Sequence, residues 1–311
     1  MSLSDDQIEQ FKTEGFLVVE DALQDSDLQP VIDDYEALVD RLASRWLEEG
    51  KISELHAGKP FEHRLAAICT DNEELYSEEA GTFDIMNARG RGSFHFLHNE
   101  RLVALMEGIL GSEITCSPIQ HVRAKLPTAE GAANPHVAPW HQDAQVHTED
   151  ADAVFILTVW LPLCDATPEN GCLQVIPGIS TGKTVFWKSE GFGIDDENLP
   201  GEPIDVPMKK GSVLFMHKLT PHGSGPNRTN NIRWSLDLRY QRTGTPTGRA
   251  VYPDFPVLSR SNPHSVLTDY EEWDRLWADA KKNNPTKAGR TNRLVGPTTV
   301  SVEDPFAAIA V

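Results

Sequence analysis

The sequence predicts a mainly β protein, an antiparallel sandwich or barrel with flanking helices, and three observations predict it. Helical periodicity dominates residues 1–113. Short strand-like runs separated by Pro, Gly and Asn clusters take over from residue 114. No internal repeat or low-complexity segment interrupts this order, so a solenoid is not indicated.

Taken in order, Ser4-Asp5-Asp6-Gln7 forms a capping box, and the short helix it opens carries Ile8 and Phe11 and stops at Gly15. Phe16-Leu17-Val18-Val19 reads as a buried strand. Asp25 or Ser26 caps a longer helix in which Leu28, Val31, Ile32, Tyr35, Leu38, Val39, Leu42 and Trp46 keep helical spacing, with Gly50 beyond its end. Residues 50–95 show no dominant period, and Arg89-Gly90-Arg91-Gly92 marks a loop. Residues 100–110 are helical, ending at Gly111. Strands are expected over 114–126, 154–163, 172–176, 212–216 and 232–240. One amphipathic helix, Thr268 to Lys282, stands in a tail otherwise rich in Pro, Gly and Asn. We expect one domain over residues 1–311: a helical scaffold (1–113), a β core (114–242) and an extension (243–311) that packs on the core.

Composition removes several function classes. Lys and Arg number 28 against 47 Asp and Glu, a net charge of −19 that repels phosphate backbones and anionic lipid. No nucleic-acid or membrane partner is expected, and no apolar run approaches the roughly 18 residues of a spanning helix. The N-terminus is acidic and lacks a secretory h-region. Cys69, Cys116, Cys164 and Cys172 show no CxxC pairing and read as reduced apolar fillers, which suggests a cytoplasmic location.

Chemistry concentrates in three places. In Trp140-His141-Gln142-Asp143, a strand over 140–146 would set His141 and Asp143 on one face. His222 follows 81 residues after His141, in the turn-like Thr220-Pro221-His222-Gly223-Ser224-Gly225. Two imidazoles and one carboxylate on a shared face make the facial triad of non-haem Fe(II) oxygenases, which leaves three positions open for cosubstrate and O2. Eleven residues beyond His222, Arg233 and Ser235 share a strand face and suit bidentate capture of a carboxylate, although Arg239 and Arg242 stand nearby.

These segments resemble the phytanoyl-CoA dioxygenase family of Fe(II)/2-oxoglutarate-dependent oxygenases. Trp140 to Asp143 matches its HxD motif. Asn170-Gly171-Cys172-Leu173-Gln174-Val175-Ile176-Pro177-Gly178 matches its NGxLxxxPG segment, with Ile179-Ser180 replacing the usual small residue and His. His222 with Arg233 matches the distal ligand and cosubstrate arginine, and Phe11 to Val19 is similar to the family's start. The resemblance runs from about residue 4 to 242. It implies a double-stranded β-helix (cupin-like jelly roll), with Fe(II) held by His141, Asp143 and His222, and with 2-oxoglutarate and O2 as cosubstrates. It further implies that Arg233, helped by Ser235, anchors the far carboxylate of 2-oxoglutarate. By position, Gln120 and Trp160 match a polar and an aromatic residue of the same pocket. Asp143 stands where related halogenases carry Ala or Gly, so hydroxylation with release of succinate and CO2 is expected.

Other readings stay open. The same centre supports desaturation or cyclisation, the triad could hold Zn2+ for hydrolysis, and a cupin-like binding protein needs no turnover. His136 and His147 flank the motif and read as loop or substrate-side residues. His95 and His98 share a spacing but lack a completing ligand. Arg89, Arg91 and Arg123 read as loop salt-bridge partners that could also reach an anion. No basic glycine-rich stretch suits a CoA diphosphate. Gln145, His147, Arg239, Gln241 and Tyr252-Pro253-Asp254 are expected to border the substrate, a small and polar molecule. Oligomeric state is not legible.

Overall fold

The computed structural model describes residues 2–72, 74–128, 137–178, 184–185, 192–284 and 298–299. In chain order the elements are α1 (Asp5–Glu14), β1 (Phe16–Val19), α2 (Asp25–Glu48), α3 (Phe61–Asp71), α4 (Glu74–Glu79), α5 (Ile85–Ala88), α6 (Arg91–Phe96) and α7 (Glu100–Leu110). Then come β2 (Glu113–Cys116), β3 (His121–Lys125), β4 (Ile156–Pro162), β5 (Leu173–Val175), β6 (Thr184–Val185), β7 (Ile204–Val206), β8 (Val213–His217), β9 (His222–Ser224), β10 (Arg233–Arg242) and β11 (Phe255–Ser259). The series closes with α8 (Tyr270–Asn283) and β12 (Thr298–Thr299).

Local rules account for the helix ends. Ser4 and Gln7 exchange side-chain-to-backbone hydrogen bonds at the start of α1, and Gly15 ends it at a φ of 75°. Helix α2 starts one residue earlier than expected: Gln24 is the N-cap, and its N–H donates to the Asp27 carboxylate at 2.7 Å. Residues 50–95 resolve into the short helices α3 to α6, too brief for a clear 3.6 period. Arg89 and Gly90 do form a loop, but Arg91 and Gly92 open α6.

Among the described residues every strand pair is antiparallel. A large sheet runs β1-β8-β4-β10-β2-β11, with β3 also paired to β10, and a three-stranded sheet runs β7-β5-β9. The expected single strand 114–126 is split into β2 and β3 at Ser117–Gln120, where Pro118 cannot donate to a ladder. Strands β6, β7, β9, β11 and β12 were not expected, and β1 and β11 form the two edges of the large sheet.

The two-residue period sorts the large sheet into two faces. Leu157, Val159, Leu161, Phe215, Trp234, Leu236, Leu238 and Tyr240 face the helices and join Tyr35, Trp46, Phe94, Trp273 and Trp277 in one buried core. Each fully buried large apolar side chain of this kind contributes about 1.5–3 kcal/mol. From the opposite face Trp160, Leu214 and Met216 meet Leu173, Val175 and Val206 of the small sheet in a second, smaller cluster. The two sheets facing each other make the jelly roll, with helices covering its outer side.

Candidate active site

Strand β10 reads Arg-Trp-Ser-Leu-Asp-Leu-Arg-Tyr-Gln-Arg, and its apolar members are spent on the helix-packed core. Its polar members Arg233, Ser235, Asp237 and Arg239 therefore project into the jelly roll, where Arg233, Asp237 and Arg239 line a cavity of about 750 Å³. The same cavity takes His141, Asp143 and His222 from the barrel mouth, Asp84 and Tyr76 from the helical region, and Tyr252 from beyond β10.

The HxD pair is not on a strand. His141 forms an isolated antiparallel bridge with His222, exchanging two backbone hydrogen bonds of 2.9 Å, and Asp143 opens a 3-10 turn through Val146. The i,i+2 relation survives because Gln142 between them is extended, at φ −119° and ψ 141°. His222 likewise lies on a strand, β9, and not on a turn. Gly223 keeps that strand close to the HxD segment, since a Cβ there would come within 3.2 Å of the Trp140 ring.

This bridging brings the three ligand atoms within 4.8 Å of one another. The Nε2 atoms of His141 and His222 each lie 3.9 Å from Asp143 Oδ1, and their rings are 4.2 Å apart. His141 Nδ1 donates to the Pro139 carbonyl at 2.7 Å, and His222 Nδ1 to the Thr220 carbonyl at 3.0 Å. A carbonyl only accepts, so each Nδ1 carries the proton and each Nε2 presents its lone pair. Burial, then the nearby His222, pushes the His141 pKa down to about 4, which keeps that ring neutral. Burial alone would raise the Asp143 pKa, but the Arg239 guanidinium overrides it and holds the carboxyl well below the usual range. Two neutral-side lone pairs and one carboxylate oxygen on a shared face fit a divalent iron centre.

Behind the triad is a cationic end. Arg233 is 2% exposed, donates to Ser235 Oγ at 2.7 Å and lies 5.2 Å over the Trp160 ring. Its Nε is buried without a partner, and no carboxylate pairs with it among the described residues. Burial pushes its pKa down to about 10. Lys125, its register partner on β3, donates to Ser224 Oγ and to the Gly225 carbonyl, both at 2.5 Å. Burial, then Arg233, lowers the Lys125 pKa to about 7. Two buried cations with no acidic partner among the described residues could take up a carboxylate.

Sequence reasoning missed Lys125, Ser224 and Thr158. The alternation His121-Arg123-Lys125 in so acidic a chain pointed to the first, and Ser224 stands two residues after His222 on what is a strand. Gln120 does not line the cavity. It is buried just before β3, donating to the carbonyls of Ser117 and Arg239 and so stapling that segment to β10. Of the residues expected to border the substrate, Tyr252 and Arg239 line the cavity, while Gln145, His147, Gln241, Pro253 and Asp254 do not. Gln241 instead holds the Thr245 and Pro246 carbonyls. Arg89 pairs with Asp274 at 2.5 Å and Arg91 with Glu271, so both are structural, whereas Arg123 faces the cavity. His98 packs against Phe255 in the core. His136 and Ile179-Ser180 lie outside the described residues.

A curated relative, "Probable phytanoyl-CoA dioxygenase" of Caenorhabditis elegans, is 35% identical over 111 residues, which cover 33% of this chain and 35% of the relative. "Phytanoyl-CoA dioxygenase, peroxisomal" of Bos taurus is 22% identical over 276 residues, 86% of this chain and 75% of the relative. The chain spans about a third of the length of the first curated relatives it matches, 35%, 32% and 32%. Among solved structures, the non-haem monooxygenase ThoJ superposes with a TM-score of 0.57 at 16% identity over 88% of this chain and 97% of its own. The epimerase SnoN, solved with Fe3+, alpha-ketoglutarate and nogalamycin RO, gives 0.53 at 21% identity over 79% and 87%. At those identities the likeness is one of fold. The profile of the phytanoyl-CoA dioxygenase (PhyH) family matches residues 11–235, and the chain belongs to that family.

Proposed function

We propose that this protein hydroxylates a small polar organic molecule, with 2-oxoglutarate consumed to succinate and CO2. The observation that carries the reading is the buried pair Arg233 and Lys125, with no acidic partner among the described residues, in the cavity that His141, Asp143 and His222 also line. When bound by those three residues, Fe(II) supplies O2 activation driven by oxidative decarboxylation of 2-oxoglutarate. The chain supplies everything else. Arg233 grips the far carboxylate of the cosubstrate, Ser235 fixes the guanidinium, and Trp160 gives it an aromatic face. Lys125 and Ser224 add a second cation and a hydroxyl at that end. The apolar cluster around Leu173, Leu214 and Met216 keeps water from it.

The zinc-hydrolase and binding-protein readings leave Arg233 and Lys125 without a counter-ion, so the oxygenase reading is favoured. The substrate is expected to be polar because Asp84, His121, Arg123 and Asp237 line the remaining wall. Among the described residues all four cysteines are free and buried, which supports a cytoplasmic home; no helix is long and apolar enough to cross a membrane. The test is anaerobic addition of Fe(II) and 2-oxoglutarate, followed by a screen of polar metabolites for succinate release. A visible metal-to-cosubstrate charge-transfer band, lost in His141→Ala, is expected; its absence from the intact chain would sink the proposal.

A further inference from the structure

Arg239 lies six residues along β10 from Arg233 on the same face, and its side chain is 3% exposed. Its Nη2 donates to Asp143 Oδ1 at 2.7 Å and to the Asp237 carboxylate at 3.3 Å. Oδ1 is also the oxygen 3.9 Å from both imidazole Nε2 atoms, and so the one aimed at the metal position. The other oxygen, Oδ2, accepts from the Thr158 hydroxyl. Both oxygens of the carboxylate are thus held by fixed donors. An ionised carboxylate oxygen carries two in-plane lone pairs. On Oδ1 one goes to the guanidinium and the other is left toward the imidazoles, whereas Oδ2 is turned to β4.

We infer that Arg239 is a positioning residue that holds Asp143 as a one-oxygen metal ligand, and that Asp237, on the cavity wall, holds Arg239 in turn. The inference rests on the reading of His141, Asp143 and His222 as the metal ligands. Its consequence is chemical. A carboxylate free to rotate can chelate through both oxygens and occupy a coordination position that cosubstrate and O2 need. A carboxylate pinned by Thr158 and Arg239 cannot, and the guanidinium also draws electron density from the bound oxygen. The ion-pair chain Asp143, Arg239, Asp237 connects the ligand to the wall where the substrate sits, so the wall's charge bears on the ligand's orientation.

The experiment compares the full chain with Arg239→Gln, Arg239→Lys and Asp237→Asn. Co(II) binding is titrated directly, and the charge-transfer band is recorded anaerobically with Fe(II) and 2-oxoglutarate. Arg239→Gln is expected to weaken Co(II) binding by about 10- to 100-fold, as loss of such a supporting partner does, and to move the band. Arg239→Lys should regain part of both, and Asp237→Asn should lose less than Arg239→Gln. Unchanged affinity and an unchanged band in an Arg239→Gln variant with native circular dichroism would overturn the inference. If that variant does not fold, a structure of the Co(II)-loaded native chain decides. Ligation through Oδ1 alone with Arg239 still on it supports the inference; chelation by both oxygens, or Arg239 swung away, overturns it. A native chain that binds no metal at these residues would instead remove the ligand reading underneath.

Discussion

Arg233 and Arg239 project from the same face of β10, and each is 2% exposed. Their surroundings differ. Arg239 is flanked by two carboxylates, Asp143 and Asp237; burial alone would lower its pKa, but these acids raise it above the ordinary arginine value. Arg233 has a serine, an aromatic face and a second cation in register beside it, and burial lowers its pKa. A buried ion with its counter-ions present is internal architecture. A buried ion without them carries an uncompensated desolvation cost that an incoming anion would relieve, which is the role proposed for Arg233.

That contrast can be broken experimentally. Arg239→Met strands the buried Asp143 carboxylate and the half-buried Asp237, and is expected to destabilise the ligand-free protein by about 3–5 kcal/mol in urea unfolding. Arg233→Met strands no charge, only the Ser235 hydroxyl, so the ligand-free protein should lose little or no stability. A comparable loss in both variants would show that the two arginines play the same part. With cosubstrate present the order reverses: Arg233→Met should lose about 100-fold in 2-oxoglutarate affinity, the cost of about 3 kcal/mol for truncating one side of a buried charge pair. Equilibrium titration of the metal-loaded protein measures it.

Smaller effects sharpen the picture. Thr158→Val removes a hydrogen bond to an ionised group and should cost about 1.5–3 kcal/mol of stability by denaturant titration. Lys125 titrates at about 7 in the ligand-free fold against an ordinary lysine value of 10.5. Below its folded pKa the receptor carries two positive charges, and above it one, so 2-oxoglutarate affinity should fall about tenfold as pH rises from about 7 to 9. Lys125→Met should flatten that profile; a native profile already flat would remove Lys125 from the receptor. The folded pKa lies below the unfolded one, so the unfolded chain binds more protons between the two values. Stability of the ligand-free protein therefore rises with pH across that window.

How much of this was legible in the sequence depends on how local each signal was. The strand-like pattern of 232–240 is written in adjacent residues, and it placed the strand and the Arg233–Ser235 pair. The triad was found because two of its members stand two residues apart and the third precedes Arg233. Arg239 was read as a substrate-side residue because its partner Asp143 is 96 positions away in the chain. Gln120 was drawn toward the pocket by its match to a family residue on an expected strand, yet the break at Pro118 leaves its side chain to cap backbone carbonyls. Ser224 was hidden by reading Pro221 to Gly225 as a turn; once β9 is a strand, its alternation sets Ser224 beside the triad. The short helices of 61–96 had too few turns for periodicity to show.

The carbonyl contacts at His141 Nδ1 and His222 Nδ1 have a calorimetric signature. With the His141 pKa near 4 and Asp143 ionised, neither of these ligands has a proton to surrender to solvent when a divalent ion arrives at neutral pH. The heat of metal uptake should then carry little contribution from these two side chains in buffers of widely different ionisation enthalpy. At neutral pH, uptake at these two side chains follows ion concentration and not their own acidity.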